Sequence, residues 1–120
     1  MILTVANING KNAVYFGSKD LEFDRVLLFG NDEDDTYSIA SGDFNKDGFI
    51  DFVTGNYNSP CIVFMNKQGK RFEPIVLFTQ SYKTYDILTA DINSDGWLDI
   101  ILANSDDVNF YMLNNFKNIK

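Results

Sequence analysis

A chain of 120 residues suits one compact domain or a few small repeating units, and 45% apolar with 15% aromatic residues is enough for a packed core, which excludes disorder. A net charge of −7 with only ten Lys and Arg argues against nucleic acid and anionic membranes as partners, since both demand a basic face. There is no histidine, which removes the usual general base and imidazole metal ligands, and a single cysteine, Cys61, excludes an internal disulfide.

Taken in chain order, every segment reads as strand. Met1-Ile-Leu-Thr-Val5 is apolar but too short and too poor in basic residues for a signal peptide, and no stretch approaches a transmembrane length, so no export address and no membrane insertion are expected. Ala13–Phe16 is a short continuous apolar run. The acidic stretch Asn31-Asp-Glu-Asp-Asp35 reads as a solvated loop between units. Strands are predicted near Tyr37–Gly42, Phe49–Gly55, Cys61–Asn66 and Phe72–Phe78, with Lys67-Gln-Gly69-Lys70 turning the last hairpin. Pro60 is expected to open a strand and Pro74 to sit in an edge strand, where a missing N–H costs least. Cys61, inside an apolar run, reads as a small buried hydrophobe. Ile100–Leu102 is a further continuous apolar run, and such strands need cover on both faces.

Asp43-Phe-Asn45-Lys-Asp47-Gly48-Phe49-Ile-Asp51 and Asp91-Ile-Asn93-Ser-Asp95-Gly96-Trp97-Leu-Asp99 are one nine-residue pattern written twice, 48 residues apart. Side-chain oxygens fall at positions 1, 3, 5 and 9, a backbone carbonyl at position 7 can join them, and the glycine at position 6 allows a sharp turn. The expected ligands of a hard cation are therefore Asp43, Asn45, Asp47, the Phe49 carbonyl and Asp51 in the first loop. In the second they are Asp91, Asn93, Asp95, the Trp97 carbonyl and Asp99, with Asp51 and Asp99 as the bidentate members. An all-oxygen cage favours calcium over magnesium, and zinc is disfavoured without His or thiolate. Two divalent ions would bring the charge from −7 to −3. Without an ion the loops are tight Asx turns, but three carboxylates in one short loop repel each other unless a cation sits among them. Such a cage leaves little open coordination, so the ion is expected to staple a hairpin rather than activate a substrate.

The offset of 48 also aligns Thr36-Tyr37 with Thr84-Tyr85, Gly55-Asn56 with Ala103-Asn104, and Met65-Asn66 with Leu113-Asn114. An offset of 49 places Asn7 on Asn56, Ala13–Phe16 on Ile62–Met65, and Phe29 on Phe78. The chain thus divides into a partial unit at 1–30, a full unit at 36–79 and a partial unit at 84–115. A repeat of this length implies stacked small sheets, here two and a half four-stranded antiparallel propeller blades in an all-β fold. Trp97, aligned with Phe49, is expected to serve packing, and Tyr37 and Tyr85, which recur together, core or hydrogen-bonding architecture.

These loops resemble those of the FG-GAP/VCBS repeats, the integrin-α-type propeller repeats. Val53-Thr-Gly55-Asn56 and Leu102-Ala-Asn104 sit where that family has Gly-Ala-Pro, and Ala13-Val-Tyr-Phe16-Gly17 is similar to its strand ending in Phe-Gly. The Gly-Ala-Pro triplet itself is not intact, and the first unit lacks a metal loop. The resemblance implies a calcium-stapled propeller of secreted or cell-surface proteins that bind protein or carbohydrate. The expectation is a non-enzymatic recognition or adhesion scaffold, part of a larger propeller whose further blades lie in the same or another chain. The alternative is a non-catalytic propeller portion of a larger secreted enzyme, such as a polysaccharide lyase or phospholipase.

Overall fold

The computed structural model describes all 120 residues and contains ten strands and no helix. The first sheet is an antiparallel meander of β1 (Ile2–Val5), β2 (Asn12–Phe16) and β3 (Arg25–Phe29). The second is the four-stranded meander of β4 (Asp35–Gly42), β5 (Asp51–Ser59), β6 (Ile62–Lys67) and β7 (Arg71–Val76). The third comprises β8 (Tyr82–Ala90), β9 (Asp99–Asn104) and β10 (Phe110–Met112). The strands thus fall into groups of three, four and three. A short pairing of β5 with β8, Tyr57 with Lys83 and Ser59 with Tyr82, links the last two sheets at one corner.

Alternation along the central sheet explains why its strands are apolar throughout. On β5 and β6, Phe52, Ile62 and Phe64 point towards the first sheet and join Val14 and Phe29 in one buried cluster. Their neighbours Val53, Val63 and Met65 point the other way and pack with Ile87, Ile100 and Leu102 of the third sheet. Each inter-sheet layer is thus fed by every second residue of the same strands. Phe29 stacks on Phe52 at 5.8 Å and meets Phe64 edge-on at 4.9 Å. Cys61 is buried, and burial pushes its thiol pKa up.

Local details depart from the predicted elements. β5 begins at Asp51, not Phe49, because Phe49 and Ile50 complete the preceding loop. Pro60 lies in the connection between β5 and β6, just after Asn58, which has φ of 60° near the end of β5. Pro74 is in β7, the outermost strand, as an edge position requires. The β6–β7 turn has φ of 57° at Gln68 and 71° at Gly69, the two left-handed residues of a tight hairpin, closed by the Lys70 amide on the Lys67 carbonyl at 3.0 Å.

Candidate metal centres

Both nine-residue loops connect the first two strands of a sheet, β4 to β5 and β8 to β9. They fold alike. Asp43 accepts the amides of Asp47 at 3.1 Å and Gly48 at 2.8 Å, and Asp91 accepts those of Asp95 and Gly96 at 3.1 and 2.8 Å. The Asp47 amide also reaches Asn45 Oδ1 at 3.3 Å, as Asp95 reaches Asn93 at 3.2 Å. Asp47 Oδ1 accepts the Phe49 amide at 2.9 Å and Asp95 Oδ1 that of Trp97 at 3.0 Å. Gly48 and Gly96, at φ of 90° and 85°, turn the chain where a side chain would be strained.

Position 9 closes each loop from below. Asp51 is fully buried at the start of β5, its Oδ2 accepting the Phe44 amide at 2.9 Å and its Oδ1 the Asn66 amide at 2.8 Å. Asp99 does the same with Ile92 at 3.0 Å and Asn114 at 2.8 Å. Each of these oxygens therefore already spends one lone pair on the backbone before any cation is considered. Burial raises the Asp51 pKa to about 6, against the lowering effect of the Asn66 and Phe44 amides, and the charges of Asp47 and Asp43 raise it further. Asp95, on the solvent side, is held below the usual carboxylate range by the Trp97 amide and then by Lys117, whose ammonium lies 3.1 Å away.

Two residues of this framework carry a repeat signal in the sequence that alone assigns them no role. Asn66 donates its side-chain amide to the Ile50 carbonyl at 3.0 Å, and Asn114 donates to that of Leu98 at 2.8 Å. Together with their backbone bonds to Asp51 and Asp99, they clamp the end of each loop, Asn66 from within β6 and Asn114 from just beyond β10. Their pairing at the 48-residue offset is the signal that marks them.

The five expected ligand positions of each loop lie together on one short turn, but no three acidic side chains stand close enough to form a ready-made cage. The carboxylates at positions 1 and 5 are turned onto the loop's own amides. In chemistry the donor set fits a hard divalent cation: three carboxylates, one carboxamide oxygen and one backbone carbonyl per loop.

Other expectations fare differently. Tyr37 and Tyr85 are the bulged residues of β4 and β8, which turns them out of the core. Half exposed, they stack with each other and with Tyr57 at centroid distances of 5.2 to 5.5 Å. Trp97 is not core either: the Lys46 ammonium of the first loop lies 4.3 Å from its ring centre and that of Lys117 5.4 Å. In the acidic stretch, Asp34 accepts the Asn31 side chain and Asp35 the Asn9 amide, so these carboxylates hold turns.

Short antiparallel sheets packed face to face, with an Asp/Asn loop at the same place in two of them, define an all-β repeat protein built of propeller-type blades. Residues 43–102 match the FG-GAP-like repeat family, half of the chain, and the protein belongs to that family. It is also similar to cartilage acidic protein 1 of Xenopus tropicalis, 37% identical over 83 residues. That match takes in 63% of this chain and 12% of the relative, so the chain spans about an eighth of the relative's length.

Proposed function

We propose that this chain is a calcium-binding propeller-repeat segment, a non-enzymatic scaffold for recognition of protein or carbohydrate outside the cell. The observation that carries this reading is the duplicated loop. Two sequences 48 residues apart, differing at four of nine positions, fold to the same hydrogen-bonded turn with five oxygen-bearing positions in the same order. A turn needing no ion would not need three carboxylates each time; burial is what chiefly raises the Asp51 pKa, and the charges of Asp47 and Asp43 add to it. Calcium at each loop would staple its hairpin, its charge offsetting the repulsion that Asp43 and Asp47 exert on Asp51. The adhesion and extracellular parts of the reading draw support from the family and from a relative named for cartilage.

Further blades, in the same or another chain, complete the arrangement. Leu88, Tyr111 and Leu113 on the third sheet are exposed, yet they are the repeat equivalents of Ala40, Val63 and Met65, which pack against the next sheet. A blade placed there would meet a face of the same design.

The test is calorimetric titration of calcium into chelator-stripped protein, with thermal unfolding followed alongside. Two equivalents bound with a marked rise in melting temperature is the expected result. A folded chain that takes up no calcium would reduce the loops to Asx turns and overturn the metal reading.

A further inference from the structure

The composition argues against a basic face, yet the fold builds one. A cavity of about 590 Å³ opens between the first Asp/Asn loop, the β6–β7 turn and the C-terminal segment. Lys46, Lys67, Lys70, Arg71, Lys117 and Lys120 line it, six of the protein's ten Lys and Arg, and Asp47 is the one acidic residue among those lining it. The three segments bring these cations together from positions far apart in sequence.

Part of this charge is answered within the protein. Glu73 pairs with Lys67 at 3.3 Å and Arg71 at 2.7 Å, and Asp95 with Lys117 at 3.1 Å. Lys46 and Lys70 take part in none of the protein's ion pairs. Lys46 is nonetheless held in place, its backbone at φ of 56° and its ammonium over the Trp97 ring, while the tight Gln68-Gly69 turn fixes where Lys70 leaves the sheet. Cations gathered in a concavity raise the local potential and concentrate anions there, even on a molecule of net negative charge.

The surroundings narrow the ligand. The cavity is of small-molecule size. Trp97, the large aromatic beside it, has its ring taken by lysine ammonium groups, which leaves Phe49 as the one aromatic in the lining, too few for the successive stacked bases of a nucleic-acid strand. Gln68 offers an amide to hydroxyl groups, and the partly exposed Phe49 ring offers a face for a pyranose. We infer that this cavity binds a sulfated saccharide, its sulfates on Lys46 and Lys70 and its hydroxyls towards Gln68. This deepens the recognition reading by naming a ligand class, and it depends on that reading only in taking the scaffold to be a carbohydrate binder.

The experiment is titration of the full chain with a heparin-derived sulfated tetrasaccharide at physiological salt, once in saturating calcium and once in chelator. One equivalent should bind, about tenfold more weakly in the double variant Lys46→Asn with Lys70→Gln and unchanged in Lys11→Gln with Lys19→Gln, which removes as many charges elsewhere. Melting curves establish that each variant folds, and Lys70→Gln alone serves if the double variant does not. No binding, or equal weakening by both pairs, would overturn the site. Binding of inositol hexakisphosphate but not of the saccharide would overturn the sugar assignment. Calcium uptake is read separately, so saccharide binding by a chain that takes up no calcium would sink the metal reading alone.

Discussion

Asp47 and Asp95 occupy the same position in the two loops, and each accepts the amide two residues on. Neither is buried like Asp51 or Asp99, so truncating them removes a candidate ligand without leaving an unpaired group inside. Asp47→Ala and Asp95→Ala should each lower calcium stoichiometry by one while the metal-free melting temperature moves little. Retention of two equivalents by both variants would show the ligand assignment to be wrong. Cys61 makes a different residue-scale point. Its sulfur is fully buried beside the Thr84 hydroxyl at 3.5 Å, and burial raises its pKa, so little reactive thiolate forms near neutral pH. Iodoacetamide at pH 8 should label the native protein far more slowly than the denatured one, and comparable rates would contradict the packed position.

At the scale of elements, the Asn66 and Asn114 clamps tie the first loop to β6 and the second to the segment just after β10, so each loop's shape is set by distant chain as well as by its own residues. The layer between the first and second sheets depends on few large side chains. Phe64 meets Phe29 at 4.9 Å and shares their cluster with Phe52 and Val14. Truncating a buried Phe typically costs about 3–5 kcal/mol through lost transfer energy and the cavity left behind. Phe64→Ala should therefore lower stability by that order in denaturant melts. A loss under about 1 kcal/mol would mean that the first sheet is not packed on the second.

For the molecule as a whole, equivalent residues differ in burial because they differ in neighbours. Met65 is 1% exposed between two sheets, whereas Leu113, its repeat equivalent, is 49% exposed on the outer face of the third. Met65→Ala should cost about 2–5 kcal/mol. Leu113→Ala should stay within about 0.5 kcal/mol in the isolated chain, as surface changes usually do. Equal costs would mean that this face is already covered. Phe44 and Ile92 show the same contrast at position 2 of the loops: Phe44 is buried with Phe116 at 5.8 Å, and Ile92 is 42% exposed.

The sequence by itself determined the repeat, the all-β class and the sharp glycine turn of each Asp/Asn loop. The repeat rests on the 48-residue offset, and the rest on local signals: short apolar runs, the turn residues that bound them, and a glycine where φ must be positive. Phe49 and Ile50 read as strand because their apolar side chains match those of β5 beside them, while the Phe49 amide is in fact committed to Asp47. Only the tertiary structure decided which face of each strand meets which sheet, the exposure of the bulged Tyr37 and Tyr85, and the clamps made by Asn66 and Asn114. It alone also gathered Lys46, Lys70 and Lys117 around one cavity. The physical reason is that packing and electrostatics act between groups close in space, and three segments spread over more than 70 residues carry no local mark of their meeting.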